Sequence, residues 1–168
     1  MTITICVCGA GTMGSGIAQV AAQSGFNTIL FDINEKVLES AKKIVQKNLS
    51  FLVSKGKISS TEEAGIFNRI QFTNDIKNCF GQIIVEAIIE KKDAKVSLFN
   101  ELAKYNNEET IFATNTSSLS ISEIQKEIIF PLRVVGMHFF NPPYIMKLVE
   151  VVRGDQTDDE IANDMYSV

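Results

Sequence analysis

The stretch CVCGAGTMGSG near the N-terminus constrains the fold more than any other part of the chain. It follows TITICV, a short run rich in β-branched residues, and it leads into residues 12–23, which have helical spacing of apolar side chains. Gly9 permits a tight turn, Gly11 lets a ligand approach the backbone, and Gly14 lets the helix pack closely on the strand. A strand, a glycine-rich turn and a helix in this order are typical of a dinucleotide-binding unit.

Asp32 ends the second apolar run, NTILFD, about 20 residues after the glycines. A carboxylate there accepts hydrogen bonds from both ribose hydroxyls and repels a 2′-phosphate, so the sequence favours NAD over NADP, although Lys36 would soften that repulsion. The alternative is that the glycines form only a turn and that Asp32 caps a helix. Because free N–H groups at a helix N-terminus attract phosphates, we expect the cofactor to contact Gly9, Gly11, Thr12, Met13 and Gly14.

Strand-like and helical periods alternate along the rest of the chain. The patterns predict strands at residues 27–31, 70–73, 82–86, 111–114, 133–138 and 147–152, and helices at 12–23, 35–54, 91–104 and 120–126. Repeated strand–helix–strand units form a mostly parallel sheet with helices on both faces. We therefore expect an α/β fold of the Rossmann, doubly wound type, in which the last two strands form an antiparallel hairpin.

Composition limits the classes of function. The 168 residues suit one globular domain; 45% of them are hydrophobic, 21% are charged, and the net charge of −4 comes without a basic block. Because nucleic-acid binding needs a concentrated basic face, we expect no such partner. No apolar run reaches the roughly 18 residues of a membrane span, and we find no secretory signal, so we expect no membrane partner.

The three cysteines are few and odd in number. Cys6 and Cys8 alternate along the first strand and so face the same side of it. A zinc site would need a second pair of ligands, so we interpret both as small buried apolar side chains and expect no metal. Free thiols fit a reducing cytoplasm, where we expect the protein to be located.

The stretch ATNTSSL follows a predicted strand. It places Asn115, Ser117 and Ser118 at the carboxyl end of that strand, which is where ligands bind in open α/β sheets. The alternative is that one of these serines only caps the helix that begins near Ser120.

His138 is the only histidine in the chain. If residues 133–138 and 147–152 form a hairpin symmetric about Tyr144, Glu150 lies opposite His138, with Cβ atoms roughly 4.5–5.5 Å apart. A carboxylate on one ring nitrogen fixes the tautomer and stabilises the imidazolium, which leaves the other nitrogen to exchange a proton with a substrate. Oxidation of an alcohol by hydride transfer needs such a base. The alternative is a surface ion pair that contributes little.

The last residues, TDDEIANDMYSV, begin an amphipathic helix. Thr157 followed by Glu160 is a capping-box pattern. The apolar residues of one face are Ile161, Met165 and Val168. We expect residues 1–153 to form the dinucleotide-binding domain and residues 154–168 to begin a linker helix, which either leads to a further domain or docks on another chain.

Several stretches together resemble a known family, in order and over essentially the whole chain: GAGTMGSGIAQVAAQSG, VEAIIE, ATNTSSL, and GMHFFNPP followed by MKLVEVV. They are similar to the NAD-binding N-terminal domain of 3-hydroxyacyl-CoA dehydrogenases, in particular the bacterial 3-hydroxybutyryl-CoA dehydrogenases. The resemblance implies NAD-dependent interconversion of an L-3-hydroxyacyl-CoA and its 3-ketoacyl-CoA. It also implies a second, all-helical domain, absent from this chain, that closes over the acyl-CoA and forms the dimer.

The resemblance also implies catalytic roles for single residues. His138 matches the family's catalytic histidine and Glu150 its carboxylate partner. Ser117 matches the serine near substrate and nicotinamide, and Asn141 matches the asparagine that lines the same site.

Binding residues follow from the resemblance in the same way. Glu90 and Lys95 match an acid and a lysine that contact the cofactor; without the resemblance they would be interpreted as a solvated helix start. We also expect Asn115, Ser117 and Asn141 to contact the cofactor. Asn48 and Lys55 lie in the helical region that contacts CoA, although Lys55 has the alternative of being a plain surface charge.

Three functions remain open at this point. The first is an active 3-hydroxyacyl-CoA dehydrogenase, and the second is a truncated NAD-binding module with little or no activity without the helical domain. The third is a related 3-hydroxyacid or sugar-nucleotide dehydrogenase, a class that lacks the HFFNPP segment with its downstream glutamate.

Overall fold

The computed structural model describes residues 3–168, and a seven-stranded sheet runs through them. The strands are β1 (Thr4–Cys8), β2 (Asn27–Phe31), β3 (Ile70–Thr73), β4 (Ile83–Glu86), β5 (Ile111–Thr114), β6 (Val134–Phe139) and β7 (Val149–Arg153). Their order across the sheet is β3-β2-β1-β4-β5-β6-β7. Every neighbouring pair is parallel except β6 and β7, which are antiparallel. The expected Rossmann-type sheet with a C-terminal hairpin is thus confirmed.

Six α-helices cover the two faces of this sheet. They are α1 (Thr12–Gln23), α2 (Glu35–Ser54), α3 (Ser60–Asn68), α4 (Lys92–Leu102), α5 (Ile121–Gln125) and α6 (Asp159–Tyr166). Side chains of β1 alternate between two cores: Ile5 and Val7 pack with α1, α2, α3 and α6, whereas Cys6 and Cys8 pack with α4 and α5. Among residues 3–168, no helix combines the length and the apolar character needed to cross a bilayer.

The sequence pattern did not predict α3. The helix begins with a capping box, in which the Ser59 hydroxyl accepts from the Glu62 amide at 3.2 Å and the Glu62 carboxylate accepts from the Ser59 amide at 2.7 Å. Within α3 only Ile66 is buried, so the helix lacks the wide apolar stripe that would have revealed it.

The last helix, α6, begins one residue later than predicted. Asp158 is its N-cap and accepts from the Glu160 amide at 2.9 Å. The Thr157 hydroxyl instead points inward, donating to the Val134 carbonyl at 2.7 Å and accepting from Gln125 Nε2 at 2.8 Å. The capping box expected at Thr157 was therefore wrong, because that hydroxyl satisfies buried polar groups.

The apolar face of α6 packs within this chain. Ile161 and Met165 are buried in the core between the sheet, α1 and α6, and Val168 packs against its edge. The role of residues 154–168 as a link to a further domain stays a prediction.

Candidate functional site

A cleft opens at the carboxyl ends of the parallel strands, where the loops after β1, β4, β5 and β6 meet. One part of it is a groove of about 620 Å³ that is lined by Gly9, Gly11, Asp32 and the Ala87–Ile89 segment. The other part, of about 350 Å³, contains His138 and six other predicted site residues: Met13, Glu90, Lys95, Asn115, Ser117 and Asn141. Ala87 and Ile88 line both parts, so the two are adjacent.

The glycine turn has the geometry that a dinucleotide needs. Gly9 has φ of +100°, and a Cβ there would lie 2.6 Å from the Ala87 carbonyl oxygen. A Cβ on Gly14 would lie 1.7 Å from the Gly9 carbonyl oxygen, so only glycine allows α1 to pack there. A Cβ on Gly11 would meet nothing within 4 Å, which leaves open space beside the N-terminus of α1. The residues present therefore fit a pyrophosphate bound at that helix end.

Asp32 connects the glycine turn to the start of α2. Its carboxylate accepts from the Ala10 amide at 2.9 Å and from the Asn34 amide at 2.9 Å. Asn34, and not Asp32, is the N-cap of α2 and accepts from the Lys36 amide at 3.0 Å. The alternative of Asp32 as a helix cap is thus wrong, and its carboxylate lines the groove beside Gly9.

A buried ion pair lies beneath the cleft. Lys95 Nζ is 2.7 Å from Glu86 Oε1, and the two side chains are 1% and 0% exposed. Glu86 also accepts from the Ile88 amide at 2.7 Å and from the Thr114 hydroxyl at 2.6 Å. Because Lys95 is buried, it is not part of a solvated helix start. The sequence did not single out Glu86; its signal is an acid at the end of an otherwise apolar strand.

Glu90 receives the other contact of Lys95 and holds the loop after β5. Its carboxylate lies 3.1 Å from Lys95 Nζ, accepts from the Ser117 amide and the Ser118 hydroxyl at 3.1 Å each, and also accepts from the Thr116 hydroxyl. Burial raises the pKa of Glu90, but the hydrogen bonds from Thr116 and Lys95 and the charge of Lys95 outweigh it and lower the pKa to about 2. Glu90 is therefore ionised at neutral pH.

Ser118 does not cap the following helix. Ser120 is the N-cap of α5, and its hydroxyl accepts from the Glu123 amide at 3.3 Å. The hydroxyl of Ser118 donates to Glu90, and Ser117 lines the cleft beside His138. The alternative of a capping role for Ser117 or Ser118 was thus wrong.

The hairpin register predicted for β6 and β7 is present, and His138 lies opposite Glu150. His138 Nδ1 is 2.8 Å from Glu150 Oε2, which leaves Nε2 as the ring nitrogen for a substrate. The imidazole also packs on Phe140, with ring centroids 4.7 Å apart. Asn115 ties this strand to the loop after β5, since its Oδ1 accepts from the Phe139 amide at 2.8 Å. The site can therefore accept a proton from a group bound in the cleft.

Asn48 and Lys55 are elsewhere in the fold. Asn48 Nδ2 donates to Gln19 Oε1 at 3.0 Å, which ties α2 to α1. Lys55 follows the end of α2, and its Nζ lies 5.4 Å from the centre of the Phe51 ring. Neither residue lines the part of the cleft that contains His138, and a contact with CoA stays a prediction for both.

Known proteins are similar to this chain in sequence and in fold. The family described as 3-hydroxyacyl-CoA dehydrogenase, NAD binding domain, matches residues 4–168. A probable 3-hydroxybutyryl-CoA dehydrogenase of Bacillus subtilis is 43% identical over 98% of this chain and 58% of its own length. The 3-hydroxybutyryl-CoA dehydrogenase of Clostridioides difficile is 41% identical over 91% of this chain and 55% of its own length.

Solved structures agree with these relatives. The crystal structure of 3-hydroxybutyryl-CoA dehydrogenase from Escherichia coli K12 superimposes with a TM-score of 0.95 at 38% identity, over 98% of this chain and 35% of that chain. The (S)-3-hydroxybutyryl-CoA dehydrogenase from Ralstonia eutropha gives a TM-score of 0.95 at 34% identity, over 99% of this chain and 59% of that one. The chain spans little more than half the length of the curated relatives it matches. It belongs to the family of NAD-binding domains of 3-hydroxyacyl-CoA dehydrogenases.

Proposed function

We propose that this domain carries the catalytic histidine of an NAD-dependent dehydrogenase that interconverts L-3-hydroxyacyl-CoA, with 3-hydroxybutyryl-CoA as the favoured substrate, and 3-ketoacyl-CoA. The observation that carries the proposal is the 2.8 Å contact of His138 Nδ1 with Glu150 in a cleft that adjoins the glycine turn. Relatives named 3-hydroxybutyryl-CoA dehydrogenase support the choice of substrate.

The proton transfer follows from the arrangement of the histidine pair. A bound nicotinamide supplies the hydride acceptor for oxidation, or the donor for reduction, at C3 of the substrate. In oxidation, His138 Nε2 takes the proton of the 3-hydroxyl group, and Glu150 stabilises the imidazolium that forms. In reduction, His138 returns that proton to the oxygen. Ser117 and Asn141 line the same cleft and would position the oxygen and the thioester.

We infer that the cofactor is NAD and not NADP. Asp32 lines the groove beside Gly9, where a carboxylate accepts from the ribose hydroxyls and repels a 2′-phosphate. NADH should therefore bind more tightly than NADPH, as measured by quenching or enhancement of nicotinamide fluorescence. The variant Asp32→Ala should reduce this preference, and an unchanged preference would contradict the assignment.

The alternative function is an NAD-binding module that is inactive by itself. The chain matches little more than half of its relatives' length, so a second domain that covers the cleft, or a homo-oligomer, would complete the site. We further propose a cytoplasmic location, since Cys6, Cys8 and Cys79 are free thiols of the kind a reducing compartment preserves.

The deciding experiment measures NADH consumption with acetoacetyl-CoA for this chain, alone and with a helical partner domain from a relative added. An active dehydrogenase gives turnover that is lost in His138→Gln, whereas NADH binding is retained. NADH binding without turnover, restored by the partner domain, would favour the module. Turnover that survives in His138→Gln would remove His138 from its role.

A further inference from the structure

Three cysteine sulfurs meet on the face of the sheet that is covered by α4 and α5. Cys6 and Cys8 project from β1, and Cys79 follows the short 3-10 turn Ile76–Asn78 from a distant part of the chain. The Cys6 and Cys8 sulfurs are 3.9 Å apart, and all three sulfurs lie within 4.8 Å of one another. A zinc site would need a second pair of ligands beside Cys6 and Cys8, and the fold brings in one further sulfur, that of Cys79.

The spacing of these sulfurs matches a three-coordinate thiolate site. With metal–sulfur bonds of about 2.3 Å, three sulfurs around a trigonal ion lie about 4.0 Å apart. The sulfurs of this cluster, defined as Cys6, Cys8 and Cys79, need only small side-chain movements to reach that spacing.

The surroundings select a soft ion. All three cysteines are fully buried and belong to the core that also contains Ile84 and Phe99. Among residues 3–168, the group of potential ligands at this place consists of the three cysteines alone. Sulfur-only ligation favours Cu(I), Zn(II) or iron–sulfur centres, and Zn(II) in closed sites takes four ligands rather than three.

Cysteine binds a metal ion as the thiolate, so each thiol that coordinates the ion releases its proton to solvent.

We propose that Cys6, Cys8 and Cys79 form a binding site for one Cu(I) ion per chain. The site is separate from the cleft that contains His138, but Cys8 directly precedes Gly9 of the glycine turn. An occupied site would therefore hold the end of β1 that leads into that turn.

The experiment uses the reduced full chain without oxygen and titrates Cu(I) against bicinchoninate, a coloured Cu(I) chelator. We expect one Cu(I) per chain, with sulfur-only ligation in the X-ray absorption spectrum. Cys79→Ala should weaken Cu(I) binding by more than about 100-fold, since even the loss of an outer partner of a metal ligand costs 10–100-fold. The matched control is Val96→Ala, which trims the same core but keeps all three sulfurs, and it should bind as the wild type does.

Other outcomes would overturn the site. The proposal is wrong if bicinchoninate retains the copper, or if the Cu(I) affinity of Cys79→Ala is within about threefold of that of the wild type. It is also wrong if the X-ray absorption spectrum shows nitrogen or oxygen ligands, or if the chain binds Zn(II) more tightly than Cu(I). Far-UV circular dichroism checks that the variant folds. If Cys79→Ala does not fold, the stoichiometry and absorption spectrum of the wild type decide the question without it.

Discussion

An ion pair and a histidine–carboxylate hydrogen bond near the same edge of the sheet contrast in their surroundings. Glu86 and Lys95 are 0% and 1% exposed, and further hydrogen bonds from Ile88 and Thr114 satisfy the carboxylate. His138 and Glu150 are 22% and 51% exposed and meet across a hairpin. A buried pair cannot lose one partner without leaving a desolvated charge, whereas an exposed pair adds little to stability. The first pair should therefore support the fold, and the second should serve proton transfer.

The largest effect should come from the exposed pair and be confined to activity. His138→Gln should lower kcat by about 10²- to 10⁴-fold, or about 3–5 kcal/mol in the barrier, because the proton loses its acceptor. The free energy of unfolding, measured in urea, should change by less than about 1 kcal/mol. Arg153→Gln, on the same hairpin but outside the cleft, serves as the control and should keep its activity. A comparable loss in both variants would point to damage of the hairpin instead.

The buried pair should give the largest change in stability. Lys95→Met should lower the free energy of unfolding by about 3–5 kcal/mol, because it strands the Glu86 carboxylate in the core. The double variant Glu86→Leu/Lys95→Met should recover most of that loss. Lys92→Met is the matched control on the same helix. Its partner is Glu127, both side chains are at least 36% exposed, and the free energy of unfolding should stay close to that of the wild type. An equal loss of unfolding free energy in Lys95→Met and Lys92→Met would contradict the expected difference between the buried and the exposed pair.

Gly16 tests how α1 supports the loop that carries Asn141. A Cβ on Gly16 would lie 2.8 Å from Pro143 Cδ, so Gly16→Ala should push that loop away and cost about 1–3 kcal/mol in stability. The KM for acyl-CoA should rise as well. A Cβ on Gly65 in α3 would meet nothing within 4 Å, so Gly65→Ala should stabilise by up to about 1 kcal/mol. A stable, fully active Gly16→Ala variant would show that the loop tolerates the shift.

The smallest effect should come from protonation of the Glu90 carboxylate, which makes the free energy of unfolding depend on pH. Because its pKa in the folded state is lowered to about 2, its contribution to stability is fully present above its unfolded pKa of about 4.3 and is lost as the pH falls toward 2. The side chain is 40% exposed, so that contribution should be at most about 1 kcal/mol. The difference in unfolding free energy between wild type and Glu90→Gln should be constant from pH 7 to 5 and shrink below pH 4. A difference that persists unchanged at pH 3 would contradict the assignment.

Local patterns predicted much of the fold and part of the site. The period of two along β6 and β7 was enough to place Glu150 opposite His138, because the register of a hairpin follows from its turn and its alternation. The Gly9 and Gly14 spacing predicted the turn for the same reason, since both act within a few residues. Helix α3 was missed because its one buried residue gives no stripe, and Thr157 was assigned to a cap although its hydroxyl bonds to Val134 in a distant strand.

The amino-acid sequence was enough to predict the alternation of strands and helices, the glycine turn and the hairpin that carries His138. These depend on backbone sterics and on side-chain periods that act over short separations. Three contacts between distant residues became visible in the folded chain: Lys95 with Glu86, Glu90 with the loop that contains Ser117, and Cys79 with Cys6 and Cys8. Such contacts depend on the order of strands in the sheet and on the desolvation of charged and polar groups within it. Local sequence patterns predict neither of these.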